Sequence, residues 1–163
     1  MKSIQFESIG EIHTPFKELE GMPIQPIGAQ GVKGEIHIKP EYSEGLKDLK
    51  DFSHLNLIYH LHKIDSYKLE VKPFLDTKTH GIFATRSPKR PNPIGLSVVK
   101  LDEVKNNIVY VSNVDILDKT PILDIKPYVP QLYEDTIDDL KIGWFETKHK
   151  DAKNKKADDR FID

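Results

Sequence analysis

Apolar and polar residues alternate with a period of two over several short stretches, and no stretch sustains a period of 3.6. From Gly34 to Lys39, Ile36 and Ile38 share one face while Glu35, His37 and Lys39 share the other. That pattern predicts a half-buried strand ended by Pro40. From His54 to His62, Leu55, Leu57, Tyr59 and Leu61 face one way, and His54, Asn56, Ile58, His60 and His62 the other. Leu69 to Val71 and Gly81 to Thr85 give two further short strands. Ser97 to Val104 and Ile108 to Ile116 form a predicted hairpin through Lys105-Asn106-Asn107, because asparagine tolerates a positive φ. The one helical segment expected is Tyr42 to Leu49, with Ser43 as N-cap and Gly45 weakening it. Short strands separated by turn signals predict a mainly β fold, a small antiparallel β-barrel with short helices.

Beyond Phe145 the pattern breaks. Lys148 to Arg160 is nearly all charged and small residues, which reads as a solvated tail; a basic arm touching RNA is the alternative. The expected organisation is therefore a barrel domain over 1–145 and a charged tail over 146–163.

Composition narrows the class. The chain has 163 residues, 37% apolar and 31% charged, a net charge of −2 and no cysteine. It therefore has no disulfide framework and no thiolate site. No apolar run approaches the roughly 20 residues that span a bilayer, and the first residues lack a signal-peptide core, so a cytoplasmic, membrane-free protein is expected. A net negative charge argues against a protein that coats nucleic acid without specificity; any RNA must be gripped by local patches. No G-x-G-x-x-G follows a strand, and no phosphate loop or G-x-S-x-G occurs. His60 and His62 have metal-ligand spacing, but no cysteine exists to complete a site; a hydrogen-bonded cleft or interface histidine is expected, and no metal.

The chemistry concentrates in the stretch from Ala84 to Ser97. Pro88, Pro91 and Pro93 remove three backbone donors and fix three φ angles, which keeps this loop out of a central ladder and makes it stiff. Arg86 and Arg90 carry planar guanidinium forks suited to a carboxylate, a phosphate or a stacked base. Asn92 can donate and accept. A rigid surface crossover with solvated arginines is the plain alternative. A second segment, Asp118-Lys119-Thr120-Pro121, reads as a turn stabilised by its own side chains, followed by an extended stretch to Pro130.

These segments resemble the TrmO (TsaA-like) family. The resemblance runs from Ile9 to Pro130 and rests on Pro23-Ile24-Gln25-Pro26, Phe52-Ser53-His54-Leu55, Gly81 to Ser97 and Asp118 to Pro130. It implies an antiparallel barrel that forms a homodimer and binds S-adenosyl-L-methionine. It also implies methyl transfer to N6 of threonylcarbamoyl-adenosine beside the anticodon of tRNA. Carried over by motif position, the cofactor contacts would be Ile24, Gln25, Pro26, His62, Lys63, Arg86, Leu96, Asp118, Lys119, Thr120 and Pro121. Lys89 and Arg90 would contact RNA phosphate, and Asn92 or Asp118 are candidates for the group that polarises the acceptor amine. Lys119 stands where the family's turn has glycine, and only the charged tail follows where bacterial members often carry a further domain. These departures keep open a non-catalytic module that binds S-adenosylmethionine or RNA.

Overall fold

The structure is a computed structural model and describes residues 2–133, 137 and 140–162. Among the described residues eight strands occur: β1 (Gly10–His13), β2 (Lys33–Ile38), β3 (His54–His60), β4 (Glu70–Val71), β5 (His80–Gly81), β6 (Ile94–Lys105), β7 (Ile108–Ser112) and β8 (Thr120–Pro127). Six of them close into a barrel in the order β1-β2-β7-β6-β3-β8, and every pairing is antiparallel. Closure pairs each barrel strand on both sides over part of its length, while the Ile94–Val99 half of β6 pairs with β3 alone and leaves its other edge facing the loops. β4 and β5 form a separate two-stranded ribbon.

The alternation in sequence becomes the inside and outside of the barrel. Ile12, Ile36, Ile38, Leu55, Leu57, Tyr59, Val99, Val109, Val111 and Ile122 are buried in one core, which Val114 and Ile116 extend past the end of β7. At roughly 25 cal/mol per Å² of apolar surface, each such side chain contributes on the order of 2 kcal/mol. The predicted hairpin forms between β6 and β7, but its second arm ends at Ser112 and not at Ile116, with Asn113 at φ 64° after it; at the turn Asn106 takes φ 54°, and the Asn107 side chain donates to Ile38 O at 2.7 Å.

Three expectations are corrected. The segment after Pro40 is not an α-helix but two 3₁₀ turns, Pro40–Leu46 and Leu49–Asp51. Ser43 Oγ donates to Pro40 O instead of capping the chain, and Asp48 at φ 62° separates the turns. The strand predicted over Gly81 to Thr85 stops at Gly81. Ile82 O accepts from Thr85 N, Thr85 Oγ and Arg90 Nη1 at 3.1, 2.8 and 3.2 Å, which bends the chain into a 3₁₀ turn. The charged C-terminal stretch is not a solvated tail. Ala157 exchanges backbone hydrogen bonds with Gly21 and Met22, and Ala152 and Phe161 are buried. Phe161 packs edge-on against Phe74 at 5.0 Å, beside Val71 and Ile82. Arg160 clamps this contact, bonding Asp158 and Pro73 O with its guanidinium 5.0 Å above the Phe74 ring.

Candidate functional site

A cleft of about 400 Å³ opens where β3 and β6 meet the loops after β1, β5 and β7. The strands set its floor. Tyr59 in β3 lies opposite Gly95 in β6, and Leu96 and Ser97 continue the same wall. Met22, Ile24 and Gln25 close one side and Arg86 to Pro88 with Arg90 another; Trp144, Phe145 and Phe161 of the C-terminal stretch complete it. A side cavity of about 70 Å³ shares Leu19, Met22, Tyr59, Leu61, Pro88 and Asp115 with the cleft and continues to His62, Lys63 and Thr120.

The polar groups on the floor form a directed chain. Ser97 Oγ donates to Asp115 Oδ1 at 2.7 Å, and Tyr59 Oη lies 2.9 Å from Ser97 Oγ. With its single proton given to Asp115, Ser97 must accept from Tyr59. Burial pushes the Tyr59 hydroxyl well above its ordinary value, assisted by the Asp115 charge, so Tyr59 keeps the proton it donates. Burial also pushes the Asp115 carboxyl up to about 6, against the hydrogen bond from Ser97, its own backbone N–H and the charge of Arg86. Arg86 donates to Leu96 O at 2.6 Å, which holds its guanidinium over the cleft wall. His62 is held below its ordinary value by burial and by the neighbouring Lys63 and His60 charges, so it is neutral near pH 7, and its Nδ1 lies 3.3 Å from Thr120 Oγ.

Of the residues singled out in sequence, Ile24, Gln25, Arg86 and Leu96 line the cleft, and His62, Lys63 and Thr120 line the side cavity. Pro26 begins the 3₁₀ turn beside Gln25 and Pro121 pairs with Glu11 in the β1–β8 ladder; neither lines either space. Lys119 is exposed in the left-handed region at φ 60°, the conformation for which glycine is suited. Four placements differ from the reading of the sequence. Lys89 is 1% exposed, so it is part of the loop's interior and not of a rim. Arg90 reaches inward, with Nη1 within hydrogen-bond distance of Ile82, Thr85 and Ser87 carbonyls at 3.2, 2.9 and 3.4 Å. With three prolines withholding donors, the arginine supplies them, which is why the loop draws it in. Asn92 is exposed and outside the cleft. Asp118 is buried below the turn and pins the loop after β1, accepting from Thr14 N at 2.9 Å and Lys17 Nζ at 2.6 Å. Burial raises its carboxyl, but Lys17, the Thr14 N–H and His13 outweigh this and leave it below its ordinary value. A carboxylate so held is a poor proton acceptor.

The sequence reading missed Tyr59, Ser97, Asp115 and the C-terminal wall as site residues. The signal for Asp115 was present: it is the one ionisable residue in the apolar run Val114 to Leu117. Ser97 likewise occupies the inward phase of β6, two residues before Val99. Among the described residues no three His, Asp or Glu side chains converge as a metal site.

Comparison with known proteins agrees with this architecture. Residues 11–134 match the family model of the tRNA-methyltransferase O N-terminal domain. The chain is 49% identical over 159 residues to a probable S-adenosyl-L-methionine-binding protein of Pyrococcus abyssi, covering 98% of this chain and 85% of that protein. It is 39% identical over 140 residues to the tRNA (adenine(37)-N6)-methyltransferase of Escherichia coli, covering 80% of this chain and 60% of that one. The crystal structure of TrmO superposes with a TM-score of 0.72 at 37% identity, over 87% of this chain and 64% of that chain. This chain thus spans less than two thirds of the Escherichia coli enzyme and of the TrmO crystal chain. With a family match over residues 11–134 and the same barrel, the chain belongs to the tRNA-methyltransferase O N-terminal domain family.

Proposed function

We propose that this protein transfers a methyl group from S-adenosyl-L-methionine to N6 of an adenosine beside the anticodon of tRNA, the acceptor being threonylcarbamoyl-adenosine. The observation that carries this reading is the polarity of the cleft. Its volume of about 400 Å³ suits a small-molecule ligand, and its walls are apolar apart from a few convergent groups. Arg86 at one wall fits a carboxylate such as that of the methionine moiety. Asp115 at the floor fits a cationic centre. Gln25 and the backbone at Leu96 offer the donor and acceptor that an adenine edge needs.

When bound, the cofactor supplies an electrophilic methyl carbon on sulfur. The protein's task is then positioning, since holding two reactants in line removes several kcal/mol of entropic barrier. Anticodon-loop bases are already splayed, so the adenosine reaches the cleft without a duplex being opened. Two copies are proposed to pair about a two-fold axis near the 86–92 loop. Exposed apolar side chains gather on that side, with Phe83 75%, Ile94 41% and Leu96 47% exposed.

The test is to incubate the protein with labelled S-adenosylmethionine and total tRNA, digest the RNA and identify the labelled nucleoside. Label on the threonylcarbamoyl-adenosine supports the full reading; label on unmodified adenosine retains the methyltransferase and rejects the acceptor. Binding of the cofactor without any label in RNA would leave a non-catalytic binding module. Light scattering at micromolar protein checks the pairing, which a monomer with full cofactor affinity would refute.

A further inference from the structure

The acceptor nitrogen poses a chemical problem that no loop residue answers. N6 of a carbamoylated adenosine is a urea-type nitrogen whose lone pair is spread over the purine and the carbonyl. It becomes a nucleophile as its proton is removed, so a proton acceptor has to stand beside it. Asn92 lies outside the cleft, and Asp118 is occupied by Lys17 and Thr14. Among the described carboxylates, Asp115 and Asp158 line the cleft. Asp158 is committed to Arg160, with contacts at 2.8, 3.0 and 2.6 Å. Asp115 has one oxygen fixed by Ser97 and sits on the floor between buried Val114 and Ile116.

We infer that Asp115 is the group that takes the proton from the acceptor nitrogen, oriented for it by the Ser97–Tyr59 chain, while its charge faces the sulfonium. The inference rests on the methyl-transfer reading above. In the step, the N6–H bond breaks, the proton goes to the Asp115 carboxylate and the electron pair stays on nitrogen. That pair forms the N–CH₃ bond, and the electrons of the S–CH₃ bond remain on sulfur as a neutral thioether. A carboxylate and a sulfonium thus become a carboxylic acid and a thioether, so opposite charges vanish together inside a poorly solvated cleft. Water entering with product exchange carries the proton away.

Burial holds the Asp115 carboxyl up at about 6, an ionisation close to neutral and suited to accepting a proton and releasing it. The other charged and titratable groups facing this space are Tyr59 from β3, Arg86 and Arg90 from the loop after β5, Asp158 from the C-terminal stretch, and His62 and Lys63 across the side cavity. Of these, Arg86 acts on Asp115 directly by its charge, and Tyr59 reaches it through Ser97.

The test uses the full chain, tRNA as acceptor, and calorimetry with S-adenosylmethionine and S-adenosylhomocysteine at pH 5 and pH 8. Asp115→Asn keeps the shape of the side chain. It is expected to lower kcat by roughly 10²- to 10⁴-fold, the range for a lost general base. The acidic limb of kcat/KM should vanish, with S-adenosylhomocysteine affinity kept within about threefold. In the unmutated protein the affinity for S-adenosylmethionine should rise several-fold from pH 5 to pH 8 and that for the uncharged thioether should not; in Asp115→Asn both should be flat. Ser97→Ala removes a bond that stabilises the ionised form, so it should move the acidic limb upward and lower kcat without altering S-adenosylhomocysteine binding. An Asp115→Asn protein with unchanged kcat and acidic limb overturns the inference while leaving the methyltransferase standing. So does one that loses cofactor affinity in step with turnover, which would make Asp115 a cofactor anchor. Unmutated protein that binds the cofactor and methylates no tRNA overturns the reading itself and the inference with it.

Discussion

Of the glycines, Gly95 has the least room for a Cβ, and Gly95→Ala is the sharpest test of the cleft floor. Gly95 is the cross-strand partner of Tyr59, whose ring occupies the space a side chain at 95 would need. A Cβ at position 95 would stand 2.1 Å from Tyr59 Cε2, 2.4 Å from Cζ and 2.8 Å from Cδ2. Carbon atoms do not approach so closely, so either the ring or strand β6 must move. Tyr59 is 7% exposed and its hydroxyl is tied to Ser97, so the ring cannot swing away without losing that bond. Overpacking in a filled core costs about 1–3 kcal/mol. A broken buried hydrogen bond adds about 1–3 kcal/mol, and the better strand propensity of alanine returns about 0.5–1 kcal/mol. The net expectation is a loss of about 2–4 kcal/mol in urea denaturation with an unchanged slope. The double-mutant cycle isolates the cause: in a Tyr59→Ala background the same Gly95→Ala change should cost nothing. A loss below about 0.5 kcal/mol in the otherwise unmutated protein, or an equal loss in both backgrounds, would show that the ring does not cover the glycine.

Four further outcomes can be checked. The Asp115 carboxyl is higher when folded, about 6 against 3.8, so the native state loses stability as pH rises between those values. Discounted for its opening to the cleft, Asp115→Asn should be about 1–3 kcal/mol more stable than the unmutated chain at pH 8 and equal to it at pH 3; denaturation at both pH values measures this, and a pH-independent difference refutes it. Lys119→Gly should raise stability by about 1 kcal/mol because φ is 60° there, and a melting temperature that falls would show the turn is not strained. Phe161→Ala should cost about 3 kcal/mol and expose the C-terminal stretch to protease before the barrel unfolds; simultaneous cleavage of both would contradict the anchoring of the stretch by Phe161. Replacing exposed Lys150, Lys153 and Lys156 by Glu should raise KM for tRNA and reduce its salt slope by about 2, with unchanged S-adenosylhomocysteine affinity; tRNA kinetics that do not move would place the RNA on another face.

Much of the barrel was legible because its signal is local. The phase of Leu55, Leu57 and Tyr59 sets the inside of β3, and Ile36 and Ile38 do the same for β2; a one-residue slip would turn each set outward. The Asn106 turn was legible for the same reason, since the needed positive φ names its own residue type. The segment after Pro40 was misread because so short a window does not separate the spacing of a helix from that of a 3₁₀ turn, and Asp48 at φ 62° leaves no mark in composition. The site was legible only where a motif concentrates it. Arg86 and Leu96 fall in the proline-rich stretch and do line the cleft, but the same stretch suggested Lys89 and Arg90 as outward cations. A loop short of backbone donors makes its own demand on nearby cations, and Arg90 answers it by reaching three carbonyls.

The C-terminal stretch shows why charge content alone misled. A segment rich in lysine has too little apolar surface to fold by itself, and read in isolation it belongs in solvent. What anchors it is sparse and specific: one phenylalanine inserted beside Phe74, one tryptophan donating to Ala84 O, and backbone bonds from Ala157 to Gly21 and Met22. Each of those partners lies far away in sequence, so no window of the chain contains both halves of the contact. The lysines take no part in covering a core. Because the stretch docks through Phe161, Trp144, Arg160 and backbone, Lys150, Lys153 and Lys156 are left exposed on a segment that also walls the cleft. The charge of these three lysines is thereby carried on the docked stretch by contacts that do not use it. A chain of net charge −2 can offer phosphate a local grip only by such an arrangement, since its overall field repels RNA and contacts within roughly one screening length, about 8 Å, have to outweigh it.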